Sequence, residues 1–408
     1  MDTSLIIRSF RFYILRAFVL TLFLTITDAL AFKLEDKFKK SDAVLISKVG
    51  GDIVYEWQAD TLLIPASLTK LVTAKLAIDR WGLKHRFHTE FYLQGETLWV
   101  KGFGDPYLVS EELDLIVKAL RDEMLATEIS VIAIDNNYFK AEKVPGQSTA
   151  VDPYNAPVSA IAANFNTVSL RKVAGEIKSA EPQTPLTPTA IRQASALSEP
   201  IGRSSERVNL KNTNNAQQHF AELLAIKLGS SEMHIKINQS VPSSAKLFYR
   251  HFNSHTLEDV LRGTLKYSNN FIANQVFLML ADVDAGSKSF AQASEQAKQR
   301  LRKAYAWQDM QLNDGSGLSR ENRLSASQIN EILCDLSDYK TLLKPYSIGK
   351  SQGATVYAKT GTLNGVHSFA GFVNINNADY QFVFIFNRSV PWRYREQLLE
   401  RVIDGLAA

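Results

Sequence analysis

Cysteine is nearly absent from this sequence: Cys334 is the one thiol among 408 residues. A single thiol excludes an intramolecular disulfide framework, an iron–sulfur site and any multi-cysteine zinc site. It lies in Gln328 to Leu336, which reads as an amphipathic helix, so it is expected to be a small buried hydrophobe. Charge of one sign is lacking too. The chain has 46 basic and 42 acidic residues, a net charge of +4 and no run of five like charges. Nucleic-acid binders normally carry a basic stripe, so no nucleic-acid partner is expected. With 45% hydrophobic and 22% charged residues, the chain is neither disordered, collagen-like nor a polytopic membrane protein.

An apolar run of spanning length is also missing near the N-terminus. Ala17 to Ile26 is about half of the roughly 20 residues a membrane helix needs. Arg8, Arg11 and Arg16 precede this run, and Asp28-Ala29-Leu30-Ala31 follows it as an A-x-A site. That is the pattern of a secretory signal peptide over residues 1–31, cleaved after Ala31. The expected location is the periplasm, with no integral span left after cleavage.

What the sequence does have is strand pattern at both ends. Ala43 to Ser47 and Asp52 to Glu56 flank Val49-Gly50-Gly51, a hairpin signature. Thr355 to Lys359, Phe369 to Ile375 and Tyr380 to Phe386 read as strands, with a turn at Asn364-Gly365. A last helix follows, its apolar face marked by Leu398, Leu399 and Val402. An α+β fold is expected, with one antiparallel sheet closed by the two termini and flanked by helices. Residues 32–83 and 246–408 would form the main domain, with smaller α/β insertions in 84–170 and part of 171–245. Pro182, Pro185, Pro188 and Pro200 lie among Ser, Thr, Gln and Ala in 178–206, which predicts an exposed loop or linker.

Three short motifs could carry chemistry. Ser67-Leu68-Thr69-Lys70 is an S-x-x-K whose i, i+3 spacing puts hydroxyl and amine on one helix face. A serine nucleophile needs a base within hydrogen-bond reach, and a desolvated lysine can serve. S-x-x-K also begins at Ser169, Ser243, Ser337 and Ser347, but only the copy at Ser67 follows a proline and opens an apolar helix. Ser268-Asn269-Asn270 is the sole S-x-N, and Lys359-Thr360-Gly361-Thr362 holds the sole K-T-G. Taken singly, S-x-N could be a helix cap and K-T-G a strand end. In this order, on helix, loop and strand, the three match the motif set of penicillin-binding proteins and class A β-lactamases.

Further segments carry the resemblance: Gly102 to Pro106, Pro153 to Pro157, Asp314 to Arg320 and Lys359 to Gly365. Together they resemble the class C low-molecular-mass penicillin-binding proteins, the D-alanyl-D-alanine carboxypeptidase/endopeptidase group, over roughly residues 40–390. The resemblance implies a penicillin-binding-protein/β-lactamase-like transpeptidase fold and serine peptidase activity on peptidoglycan stem peptides and cross-links. It implies inhibition by β-lactams and needs no cofactor. Ser67 would be the acylated nucleophile, Lys70 its base, Ser268 a proton relay and Asn270 an orienting amide. Lys359 and Thr360 would hold the substrate carboxylate, beside Gly361. The backbone N–H groups of Ser67 and Thr362 would form the oxyanion hole. Arg320 and Asn364 align with substrate-side positions, and Asp135 with Phe139 would reach a diaminopimelate-type side chain. For Asp135-Asn136-Asn137 a plain turn is an equally good reading.

Two other enzyme readings share the scaffold, a β-lactamase and a D-amino-acid esterase. The chain lacks the E-x-x-L-N segment of class A lactamases. A non-catalytic wall-binding protein is the third alternative, which the intact Ser67, Lys70, Ser268, Asn270 and Lys359 disfavour. His85 and His88 lack a third ligand at metal spacing, so packing is expected of them and no metal. The stripe Phe382, Phe384 and Phe386 is expected to pack the sheet.

Overall fold

In the computed structural model, residues 38–123, 128–197, 200–230, 232–282, 287–348 and 353–407 are described. The expected signal peptide lies outside them. The chain divides into two compact units, one holding residues up to Ile64, Leu324–Thr341 and Pro345–Ala408, the other Pro65–Arg323 and Leu342–Lys344.

The terminal strand patterns pair as expected. In the first unit, β1 (Asp42–Lys48) joins β2 (Ile53–Trp57) on one side and β14 (Ala378–Phe386) on the other. With β11 (Lys344–Tyr346), β12 (Thr355–Leu363) and β13 (Val366–Ile375) they form a sheet of order β11-β12-β13-β14-β1-β2. Alternation sorts the side chains onto two faces. Ile46 is paired with Phe382 and, one residue on, Ser47 with Gln381. The first face, with Val44, Phe369, Phe384 and Phe386, forms a core with Leu398, Leu399 and Val402 of α9 (Tyr394–Ala407). The phenylalanine stripe is fully buried there, as packing requires. The opposite face carries Ser47 and Gln381, which both donate to Asn330 Oδ1 of α8 (Ala326–Asp335), at 3.1 and 2.9 Å. Cys334, in this helix, is half-buried rather than fully enclosed.

The second unit holds a mixed sheet of order β10-β3-β4-β5-β9, from β3 (His88–Gln94), β4 (Thr97–Gly102), β5 (Val131–Asp135), β9 (His234–Gln239) and β10 (Lys246–Phe252). Helices α2 (Ser110–Glu123) and α4 (Thr213–Leu228) share its apolar core through Leu113, Ile116, Phe220 and Leu224. His85 and His88 stack on rings, His85 against Trp81 at 5.5 Å and His88 against Phe103 at 4.6 Å.

The proline-rich stretch 178–206 is not a linker. It supplies β7 (Glu176–Ser179), α3 (Pro188–Ser195) and the start of β8 (Glu206–Asn209), which pair with β6 (Thr167–Val173) as β7-β6-β8. Pro188 is harmless because it stands at the first helical position, where an N–H has no intrahelical acceptor, and Thr187 caps the turn by accepting from Ala190 N. Ala190, Ala194, Ile201 and Val208 bury against Leu170 to give this layer its own core.

Two buried ionisable groups in the second unit oppose each other in pH dependence. Burial pushes His219 down to about 4, its Nδ1 lying 2.7 Å from Thr187 Oγ1. Burial pushes Asp105 up to about 6, against hydrogen bonds donated by Asn253 Nδ2 and Tyr107 N. A base with a lowered pKa binds fewer protons folded than unfolded, so its stability contribution is present above 6.5 and lost as pH falls to about 4. An acid with a raised pKa does the reverse, stabilising below 3.8 and losing that as pH rises through about 6. The unfolding free energy of His219→Gln relative to the parent should therefore rise by about 3 kcal/mol as pH falls across the first window. Asp105→Asn should gain a similar amount, about 3 kcal/mol, as pH rises across the second. Urea unfolding across these windows checks both; parallel curves for parent and variants would count against the assignment.

Candidate active site

Ser67 occupies a 3₁₀ turn, Ala66–Leu68, that leads into α1 (Thr69–Trp81). Ala66 enters that turn with a left-handed backbone, φ 48°. In such a turn, side chains three apart nearly eclipse. Lys70 Nζ thus lies 2.9 Å from Ser67 Oγ, with the lysine fully buried and the serine half-buried. The first residue of α6 (Asn270–Met279) supplies the next contact: Lys70 Nζ donates to Asn270 Oδ1 at 2.7 Å. The orientation of that amide is set from its other end, where Asn270 Nδ2 donates to the Tyr154 carbonyl at 3.1 Å. A further acceptor is the main-chain carbonyl of Ser316, 2.7 Å from Lys70 Nζ.

The two carbonyl oxygens are acceptors only, so they hold two N–H bonds of Lys70 in either protonation state. The direction left toward Ser67 Oγ can then accept the hydroxyl proton when the amine is neutral and return it when the amine is charged. That is the geometry of a general base fixed on its nucleophile.

A rigid loop presents the Ser316 carbonyl. Asp314, fully buried, accepts from Ser316 N and Leu318 N through Oδ2, and from Ser319 N and Asn322 Nδ2 through Oδ1. Asn274 Oδ1 accepts from Gly315 N, and Thr73 Oγ1 donates to the Gly315 carbonyl at 2.7 Å. Gly317, with φ 81°, brings the loop so close to the turn of Ser67 that a Cβ there would sit 1.8 Å from the Ala66 carbonyl oxygen. The sequence marks Asp314 to Arg320 only as a signature; the role of Ser316 rests on a main-chain atom, which leaves no trace in residue type. Asn274 and Thr73 likewise carry no motif of their own.

The S-x-N segment is not a serine helix cap. Asn269 is the cap, accepting from Ile272 N, and Ser268 stands before it with a left-handed backbone, φ 59°. For a non-glycine residue this conformation is strained and tends to persist at functional positions.

In the other unit, Lys359, Thr360, Gly361 and Thr362 lie within β12 rather than at its end, and β11 lies on its outer side. The hairpin pairing continues to Leu363 and Val366, leaving Asn364 and Gly365 as the loop. Lys359 is 2% exposed, and its Nζ donates to the Thr360 carbonyl at 2.7 Å. Arg395 of α9 donates to the carbonyls of Gly361 and Ser368, both at 2.9 Å, bracing this part of the hairpin. Its contribution has no signal in the motif itself.

The remaining expected residues have the following places. Arg320 is exposed, its carbonyl accepting from Arg323 Nη1. Asp135 is buried at the end of β5, where Oδ1 accepts from Asn137 N within the local turn and Oδ2 from Val241 N, a long-range partner just past the end of β9. Phe139 is 4% exposed and packs over Gly104, where a Cβ would come within 2.4 Å of its ring.

The profile of the D-Ala-D-Ala carboxypeptidase 3 (S13) family matches residues 28–402. A D-alanyl-D-alanine carboxypeptidase of Actinomadura sp. (strain R39) is 24% identical, over 85% of this chain and 77% of the relative. D-alanyl-D-alanine carboxypeptidase DacB of Haemophilus influenzae is 28% identical over 198 residues, 42% of this chain and 41% of the relative. Among solved structures, penicillin binding protein 4 from Haemophilus influenzae shares the fold with a TM-score of 0.72 and 21% identity, covering 93% of this chain and 99% of that one. A predatory peptidoglycan endopeptidase from Bdellovibrio bacteriovorus shares it at a TM-score of 0.52 and 15% identity, over 90% and 92% of the two chains. Since the family profile spans nearly all of the sequence and the serine–lysine–asparagine geometry accompanies it, this chain belongs to the D-Ala-D-Ala carboxypeptidase 3 (S13) family.

Proposed function

We propose that this chain is a serine D,D-peptidase that cleaves the terminal D-Ala-D-Ala bond of peptidoglycan stem peptides through an ester on Ser67. The observation that carries the reading is the Lys70 Nζ held 2.9 Å from Ser67 Oγ by two carbonyl acceptors. As Ser67 Oγ attacks the penultimate D-alanine carbonyl carbon, its proton passes to Lys70. The carbonyl π electrons move onto oxygen, facing the N–H groups of Ser67 and Thr362; each such donor contributes about 3 kcal/mol in comparable sites. Collapse of this intermediate breaks the C–N bond, and the leaving D-alanine nitrogen takes a proton relayed from Lys70 through Ser268. Water then attacks the ester, losing its proton to Lys70, and Ser67 Oγ leaves and regains a proton.

In this reading Lys359 and Thr360 bind the terminal carboxylate, Gly361 leaves the strand open beside it, and Asn364 and Arg320 contact the substrate. Asp135 and Phe139 belong to the end nearer a diaminopimelate-type side chain, which extends the activity to D-Ala-diaminopimelate cross-links. A β-lactam resembles the same dipeptide and acylates Ser67; the Haemophilus relative in fold has been solved with a β-lactam bound. Export by residues 1–31 would deliver the enzyme to the periplasm, where its substrate lies. Among the described residues no helix is long and apolar enough to cross a membrane.

The test is intact-mass measurement after exposure to benzylpenicillin, together with D-alanine release from a pentapeptide ending in D-Ala-D-Ala. A stable adduct and released D-alanine are expected. An inert chain that binds wall fragments would favour the non-catalytic alternative, and rapid turnover of the drug a β-lactamase.

A further inference from the structure

A cavity of about 440 Å³ in the second unit is lined by Glu142, Lys143, Gln147, Asn155, Asn209 and Lys211, among others. That volume lies within the usual range for small-ligand sites. The side-chain amides of Gln147, Asn155 and Asn209 are already committed. Gln147 Nε2 donates to the Asn155 carbonyl at 2.6 Å, and Asn209 Nδ2 to the carbonyls of Ala150 and Asp152 at 2.9 and 2.8 Å. Asn209 Oδ1 accepts from Lys211 N at 2.8 Å. Glu142, the one acidic lining residue, accepts from Phe290 N at 2.5 Å. Lys143 and Lys211 set two positive charges against the single negative charge of Glu142. Lys143 and Lys211 are exposed, and neither ammonium has an ion-pair or hydrogen-bond partner among the described residues.

This wall is joined to the candidate catalytic group. Asn155 follows Tyr154, whose carbonyl accepts from Asn270 Nδ2, and Asn270 Oδ1 accepts from Lys70. A peptide whose last two residues occupy the acyl site continues away from it on its N-terminal side, at about 3.3 Å per extended residue. Its carboxylates are the groups that two unpaired ammonium ions beside a preformed polar wall would select.

We propose that this cavity binds a carboxylate of the stem peptide upstream of the D-alanine that acylates Ser67, with Lys143 and Lys211 as its counter-ions. The proposal rests on the D,D-peptidase reading above. It makes the site selective for peptides that keep this carboxylate free over those in which it is amidated.

The test is a binding measurement, so it does not depend on turnover. The full chain carrying Ser67→Ala is titrated calorimetrically with N-acetyl-L-alanyl-γ-D-glutamyl-L-lysyl-D-alanyl-D-alanine and with its glutamyl amide. The free acid is expected to bind about tenfold more tightly, since two exposed charge pairs each contribute modestly, and the preference should shrink as salt is raised. Adding Lys143→Gln and Lys211→Gln should abolish the preference, and the corresponding pair of arginine substitutions should keep it. Equal binding of the two peptides, binding of neither, or a preference that survives the glutamine pair would overturn the proposal. Loss of the peptidase reading has a separate signature, the absence of a benzylpenicillin adduct on the parent chain.

Discussion

Replacing Ser67 by alanine is expected to remove the benzylpenicillin adduct completely and to lower D-alanine release by about 10⁴-fold or more. The size of the effect follows from the chemistry. Lys70, Asn270 and the Ser316 carbonyl would all remain, but the atom that forms the ester would be gone. Lys70 Nζ would keep its acceptors on Asn270 and Ser316, so the turn loses one hydrogen bond and no buried group is stranded. Stability should consequently change by only about 1 kcal/mol. The pairing of near-complete chemical loss with near-native unfolding distinguishes a nucleophile from a structural serine. An adduct of unchanged mass on the Ser67→Ala chain would place the nucleophile elsewhere, and the other four S-x-x-K serines would then be tested in turn.

The second large effect is expected at Gly317. Substitution by alanine places a Cβ 1.8 Å from the Ala66 carbonyl oxygen and 3.0 Å from Ser67 N, with the backbone at φ 81°. The neighbours are main-chain atoms, so no flexible side chain can swing away. Overpacking together with a left-handed backbone should lower the unfolding free energy by about 2–4 kcal/mol. The same displacement moves the Ser316 carbonyl and the serine turn apart. A shift of about 1 Å in such a site can cost about 10²-fold in rate. Gly317→Ala should thus be slow in acylation by benzylpenicillin even at temperatures where denaturant titration shows it folded. A variant that acylates at the parental rate would show that this contact does not position the base.

The sheet of the first unit was legible because its strands alternate and its turns carry Gly50, Gly51 and Gly365. Such local patterns follow from backbone geometry, and β1 pairs with β14 as the termini suggest. The stretch 178–206 was misleading for the opposite reason. Proline and serine are read as loop formers by composition, yet Pro188 at a helix start and Ala190 with Ala194 on its inner face are compatible with a packed layer. Burial is a property of neighbours, which composition does not report. K-T-G ran the same way: its strand continues to Leu363 because β13 offers hydrogen-bond partners as far as Val366.

Of the candidate site, the sequence by itself determined the pairing of Ser67 with Lys70, because they are three residues apart and a single turn brings them together. It also singled out Asn270, through a motif. Tertiary structure alone decided what holds the lysine. The Ser316 carbonyl and the Tyr154 carbonyl are main-chain atoms from loops hundreds or scores of residues away in sequence, and any residue could supply them. The placement of the Ser316 carbonyl depends on the Asp314 hydrogen bonds and on the absence of a side chain at Gly317. Local spacing can bring a nucleophile to its base, but only long-range packing fixes the acceptors that make the base point at it.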